Sequence, residues 1–223
     1  MTKKLFFEAV IKYLCGVILV GALVFLPAGS LAFFGGWLFM AVLFLPMLVA
    51  GIVMMIKNPA LLKSRLDAKE KQKNQKGVIK LSGLMFIVGF ILAGLDYRFC
   101  IFPLPRAVSL VAAVMLLLAY AMFAEVLREN TYLSRTVKVT ENQKVIDSGL
   151  YGIVRHPMYS ATLILFIMMP LVLGSLIAFA VFLAYPFIIT VRIRDEEKLL
   201  ARELDGYTEY MEKVKYRLIP FIW

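Results

Sequence analysis

Two short polar clusters hold most of the chemistry available to this sequence. The first is Arg155-His156-Pro157-Met158-Tyr159, and the second is Arg192-Ile193-Arg194-Asp195-Glu196-Glu197. Pro157 suits the first position of a helix, so the backbone amides after it are expected to point outward unsatisfied. Such amides attract anionic groups. In the second cluster Arg192 and Glu196 lie one helical turn apart and share a face. Charges beside hydrocarbon are costly unless paired, so the acidic pair there is notable. Brought together, the clusters would offer a cation, an anion, amide donors and aromatic faces, a set that suits a small zwitterion.

The elements that position these clusters are apolar. Apolar residues make up 61% of the 223 residues and charged residues 18%, against about 45–50% and about 25% in a soluble domain. Mean hydropathy is +0.82. A spanning helix needs about 20 apolar residues, and four tracts read as spans, the third of them short: Ala9–Leu31, Phe33–Ile56, Leu81–Leu95 and Ala107–Val126. The first could be taken for a signal peptide, but it is long for one and a second span follows at once. The net charge of +10 does not point to nucleic acid. The cations sit beside apolar spans, where the positive-inside rule and anionic headgroups account for them.

The most basic stretch, 57–80, holds Lys57, Lys63, Arg65, Lys69, Lys71, Lys73, Lys76 and Lys80 against Asp67 and Glu70. It is expected in the cytoplasm, with both termini and the segment from Arg128 on the same side. The turn at 96–106 is expected outside. Residues 128–156 form a polar connector with β-leaning pieces at Thr136–Val139 and Lys144–Ile146 and a turn at Asp147-Ser148-Gly149.

The apolar tract 157–191 would rise roughly 50 Å as one straight helix at 1.5 Å per residue, against a hydrocarbon core of about 30 Å. Pro170 and Gly174 sit in its middle. The expectation is a hairpin, Met158–Met169 and Ser175–Val191, which returns Arg192 and Glu196 to the side of His156. Beyond it, Leu199, Leu200, Leu204, Tyr207, Tyr210 and Val214 recur at helical spacing. They predict an amphipathic cytoplasmic helix from Arg192, broken near Gly206, with Tyr207 and Tyr210 as packing residues. The fold class is therefore all-α integral membrane, with five to six transmembrane helices, a C-terminal hairpin, a cytoplasmic connector and a tail helix.

Several chemistries are excluded. His156 is the single histidine, so no multi-histidine metal site forms, and no metal is expected. Cys15 and Cys100 sit in or beside apolar runs as small hydrophobes. No glycine-rich dinucleotide fingerprint, P-loop, zinc-protease or serine-hydrolase motif occurs.

The C-terminal third resembles the isoprenylcysteine carboxyl methyltransferase family and, more loosely, membrane phospholipid methyltransferases. The resemblance rests on Val145-Ile146-Asp147-Ser148-Gly149-Leu150-Tyr151, Arg155-His156-Pro157-Met158-Tyr159, Arg192, Glu196-Glu197, Tyr207-x-x-Tyr210 and Tyr216-Arg217-Leu218-Ile219-Pro220. It divides the chain into N-terminal transmembrane helices, 1–127, and a catalytic region, 128–223. It implies S-adenosylmethionine as cofactor, at Val145, Ile146, Tyr151, His156, Met158, Tyr159 and Glu196. It implies Arg192 and Glu196 as catalytic residues, with Arg192 and Arg217 toward a lipidated or lipid-like carboxylate entering from the bilayer. Gln143 stands where a histidine is frequent, and Ala161 where a glycine is frequent. Three other readings stay open: N-methylation of a phospholipid amine, an NADPH-dependent membrane reductase, and a non-catalytic scaffold. Sterol-reductase-like proteins carry a similar Arg-His-Pro-x-Tyr stretch, usually followed by an acidic residue; here Ser160, Ala161 and Thr162 follow.

Overall fold

The structure is a computed structural model that describes residues 3–66, 73–130, 132, 139 and 143–223, with the side chains of 73 and 74 set aside. It is all-helical among the described residues: α1 (Lys3–Ala28), α2 (Phe34–Lys57), α3 (Pro59–Leu66), α4 (Lys73–Phe99), α5 (Arg106–Glu129), a 3-10 turn (Gly149–Gly152), α6 (Pro157–Val172), α7 (Leu176–Phe182), α8 (Tyr185–Glu203) and α9 (Tyr207–Lys213). Five stretches are long and apolar enough to cross a membrane: α1, α2, most of α4, α5, and the Leu176–Glu203 tract of α7 and α8. This is a multi-pass membrane protein. At 16 residues, α6 rises only about 24 Å, short of the roughly 30 Å hydrocarbon core.

The bundle has two distinct ends. At one, the turn between α6 and α7 meets the turn between α4 and α5. Leu104 N donates to Gly174 O at 3.0 Å, and Pro103 and Ser175 form an isolated bridge. Gly35, near the start of α2, lies against the same turn. A Cβ there would stand 2.7 Å from Leu173 O, so only glycine allows this approach. At the other end Lys12 of α1 donates to Leu66 O of α3 at 2.8 Å, and the Arg65 guanidinium lies 5.3 Å from the centre of the Phe123 ring of α5. One apolar core runs through the bundle, from Val24 and Phe39 through Phe90 and Leu116 to Phe182, Ile193 and Leu218.

The hairpin forms, with altered limits. The first arm runs on to Val172 with Pro170 inside it, because a proline in the last turn forfeits little that the helix end still needs. Gly174 adopts φ +76°, and Ser175 caps α7 by accepting from Ala178 N at 3.2 Å. The second arm breaks at Leu183–Ala184, just before Pro186 in the first turn of α8.

Three further expectations are corrected. The third span starts at Lys73, not Leu81. No proline stands between the two positions, and the single glycine, Gly77, is tolerated within the helix. Lys76 and Lys80 are long enough to reach the interface from it. The tail helix is not a separate element from Arg192: α8 carries straight through the charged residues to Glu203. After Gly206 turns the chain at φ +82°, α9 ends at Lys213 and 214–223 fold back as irregular chain. Lys144–Ile146 is irregular rather than extended. Lys69, Lys71, Asp67, Glu70 and all of Thr136–Val139 but Val139 lie outside the described residues.

Candidate active site

The site forms where the hairpin opens. Pro157 starts α6, and the two residues before it are fixed by the returning tail. Arg155 N donates to Tyr216 O and His156 N to Arg217 O, both at 2.9 Å. One expectation fails here. The Tyr159 and Ser160 amides are not free at the helix start: they donate to His156 O at 2.9 and 3.1 Å.

Glu196 and Glu197 are neighbours in sequence but lie about 100° apart around α8, and this separates their environments. Glu197 points inward and is 6% exposed. It accepts from Arg155 Nε and Arg217 Nε, each at 2.7 Å, and stands 3.4 Å from His156 Nε2. Arg155 also donates through Nη1 to Val214 O at 2.7 Å and Lys215 O at 3.0 Å. A buried charge is tolerable only when paired and hydrogen-bonded, and this cluster meets both conditions.

Glu196 takes the other face. The Tyr159 hydroxyl donates to its Oε2. The same hydroxyl accepts from Arg192 Nε at 2.8 Å, and the Arg192 guanidinium lies 5.8 Å from the centre of the Tyr159 ring. The hairpin therefore joins residues 33 and 37 positions apart in sequence into one polar pole, with the His156 ring stacked 5.7 Å from that of Tyr159.

These groups border a pocket of about 810 Å³, its open mouth included. Val145, Ile146, Tyr151, His156, Met158, Tyr159, Arg192 and Glu196 all line it. Arg217 does not; it lies on Glu197, with its guanidinium 5.3 Å from the Trp223 ring centre. The wall opposite the polar pole is apolar. Val145 packs with Leu200, Leu204, Tyr207 and Tyr210 in a small cluster apart from the main core. Gln143, at the position of the frequent family histidine, is also at the wall.

Sequence reasoning missed four contributors. Leu200 and Leu204 read only as an amphipathic stripe, yet they form pocket wall. Tyr207 is 4% exposed, lines the pocket, and its hydroxyl has no hydrogen-bond partner among the described residues. The role of Glu197 had no local signal, because its partners come from two distant segments. The phenols of Tyr151, Tyr207 and Tyr210 are pushed upward by burial, so all three keep their protons. Asn130 Nδ2 donates to the Tyr151 hydroxyl at 3.0 Å, and the Tyr210 hydroxyl donates to Tyr151 O at 2.7 Å. Asp147 is held below the usual carboxylate range by its hydrogen bond from Lys213, at 2.6 Å.

Comparison with known proteins covers this region. Part of the chain is similar to the mouse Delta(14)-sterol reductase TM7SF2, 30% identical over 91 residues. That match spans 40% of this chain and 22% of the reductase, so the chain covers under a quarter of that relative's length. The family model of the isoprenylcysteine carboxyl methyltransferase (ICMT) family matches residues 108–202. The matched segment contains most of α5, the connector, the hairpin and both polar clusters, and it supports a membrane methyltransferase. Residues 108–202, under half of the chain, are thus similar to the isoprenylcysteine carboxyl methyltransferase family.

Proposed function

We infer that this chain is an S-adenosylmethionine-dependent methyltransferase acting on the carboxylate of a lipidated or lipid-like acceptor. The observation that carries the reading is the pocket in which Tyr159, Arg192 and Glu196 converge from the two arms of the hairpin. Its residues fit the cofactor. Glu196 offers a carboxylate to an ammonium group, Val145, Ile146, Leu200 and Leu204 offer apolar walls to a purine, and the Tyr207 hydroxyl is left for a ligand. When bound, the cofactor supplies a methyl group activated on a positively charged sulfur. The chain's own part is positioning and charge management. An acceptor carboxylate is already ionised at neutral pH and needs no general base. Arg192 orients it, while Glu197 fixes Arg155 and His156 in the pocket wall. The acceptor's chain enters between helices from the bilayer.

The basic residues Lys57, Lys63, Lys76, Lys80 and Arg128 gather at the end of the bundle that holds the site, which supports a cytoplasmic site and cytoplasmic termini, at the cell's inner membrane if the source is prokaryotic. The division into a helical N-terminal part, 1–127, and a catalytic part, 128–223, belongs to the same reading.

The similarity to a sterol reductase favours a second reading, an NADPH-dependent reductase. Calorimetry on the purified chain separates them. Binding of S-adenosylhomocysteine without NADPH supports the methyltransferase, and the reverse result overturns it. Labelled methyl transfer to single-chain carboxylic lipids, compared with amine-headed phospholipids, then identifies the acceptor class.

A further inference from the structure

A second cavity lies apart from the candidate active site, between α2 and α5. It holds about 750 Å³, within the range of small-molecule sites. Its walls are aliphatic and small, with Val49, Ala50, Val53, Leu117, Ala121 and Ala124 among them. From Ala41 to Lys57 it follows α2 for about 24 Å, more than half of the roughly 30 Å hydrocarbon thickness.

Its polar atoms are unevenly distributed. Tyr120 donates its hydroxyl to Leu43 O at 3.0 Å, so that group is used within the protein. Lys57, Asn58 and Arg128 lie together at one end, the end nearer the candidate active site. Asn58 Oδ1 caps α3, accepting from Leu61 N at 3.0 Å. Arg128 pairs with Glu125 at 2.5 Å, yet its side chain stays 74% exposed, and Lys57 is exposed at the rim. No acidic side chain lines the cavity among the described residues. Glu125 offsets one of the two cations, leaving a net positive mouth on an apolar trough. Asn130, two residues beyond Arg128, already belongs to the wall of the active-site pocket.

We propose that this trough is a specific site for one anionic membrane lipid, its hydrocarbon chain between α2 and α5 and its headgroup at Lys57 and Arg128. A basic pocket between transmembrane helices recognises anionic headgroups by charge, and each cation near the surface contributes on the order of a five-fold preference. The headgroup at Arg128 then sits two residues from Asn130 and steadies the end of α5 that supports Tyr151. The inference goes beyond methyl transfer and stands whichever cofactor the neighbouring pocket takes.

The test is native mass spectrometry of the purified full chain after equilibration with equal amounts of phosphatidylglycerol and phosphatidylcholine. The wild type is expected to retain one phosphatidylglycerol per chain, with at least a five-fold preference. Lys57→Gln with Arg128→Gln is expected to remove the preference while the unfolding temperature stays unchanged. Ala121→Trp is expected to displace the bound lipid, whereas Arg98→Gln, at the opposite end of the bundle, is expected to leave the preference intact. Equal retention of both lipids by the wild type overturns the proposal. So does an undiminished preference in the double variant, or a chain dimer that excludes lipid from the trough.

Discussion

The two ends of the hairpin each bury a carboxylate, and they satisfy it in opposite ways. At the tip, Asp96 is 1% exposed and is met by uncharged donors, the Ser175 hydroxyl and Phe102 N. At the mouth, Glu197 is 6% exposed and is met by two guanidinium groups, with an imidazole beside it. The tip is a local anchor: neighbouring turns supply every partner. The mouth is a junction of segments far apart in sequence, from Arg155 through Glu197 to Arg217. Its charge cluster serves architecture and leaves Glu196, one residue earlier, facing the pocket. The same side-chain type is thus an anchor on one helix face and a pocket-lining group on the next.

The largest expected effect tests the mouth as architecture. Glu197→Ala leaves Arg155 buried without its carboxylate and should cost about 3–5 kcal/mol. Thermal unfolding in detergent reads this directly, and a wild-type melting temperature would refute the structural role. Next comes the tip. Asp96→Ala strands the Ser175 hydroxyl and the Phe102 amide and should cost about 1–3 kcal/mol, with no change in affinity for S-adenosylhomocysteine. If that variant lost ligand affinity instead, tip and mouth would be coupled and the contrast between them would weaken. Glu196→Gln should show the inverse pattern: S-adenosylhomocysteine binding at least ten-fold weaker, about 1.4 kcal/mol, while stability stays within about 0.5 kcal/mol. Isothermal calorimetry and melting on the same sample measure both quantities.

The smallest effect concerns the exposed Asp147–Lys213 pair that ties the connector to α9. Lys213 holds the Asp147 carboxyl below its unfolded value. The contribution is therefore present at neutral pH, above the unfolded value of about 3.9, and is lost as pH falls through the folded value. Asp147→Asn should lower the neutral plateau of the melting-temperature profile slightly and leave its acid end in place, so that the acid limb flattens.

The sequence carried the membrane fold and the convergence of the two clusters, since both follow from length and periodicity. An apolar tract too long for one crossing, with Pro170 and Gly174 at its centre, has to turn back. Other features had a weak local cause or none. The break at Leu183–Ala184 falls within continuous apolar sequence and is marked only by Pro186 in the first turn of the next helix. The continuation of α8 past Arg192 was obscured by the change from apolar to charged residues, which alters the surroundings of a helix and not its backbone. The fold-back of 214–223 depends on carbonyls that receive Arg155 and His156, so it exists only once the tertiary structure does. Which of two adjacent glutamates faces the pocket is a matter of helical phase, and phase is fixed only when Arg155 and Arg217 arrive.

The Tyr159 hydroxyl has one proton and two clients: it gives that proton toward Glu196 and receives one from Arg192. Reshaping the pocket for a new ligand at its anionic end should therefore disturb its cationic end as well. Paired substitutions across this oxygen should be epistatic, and selection would have to change them together.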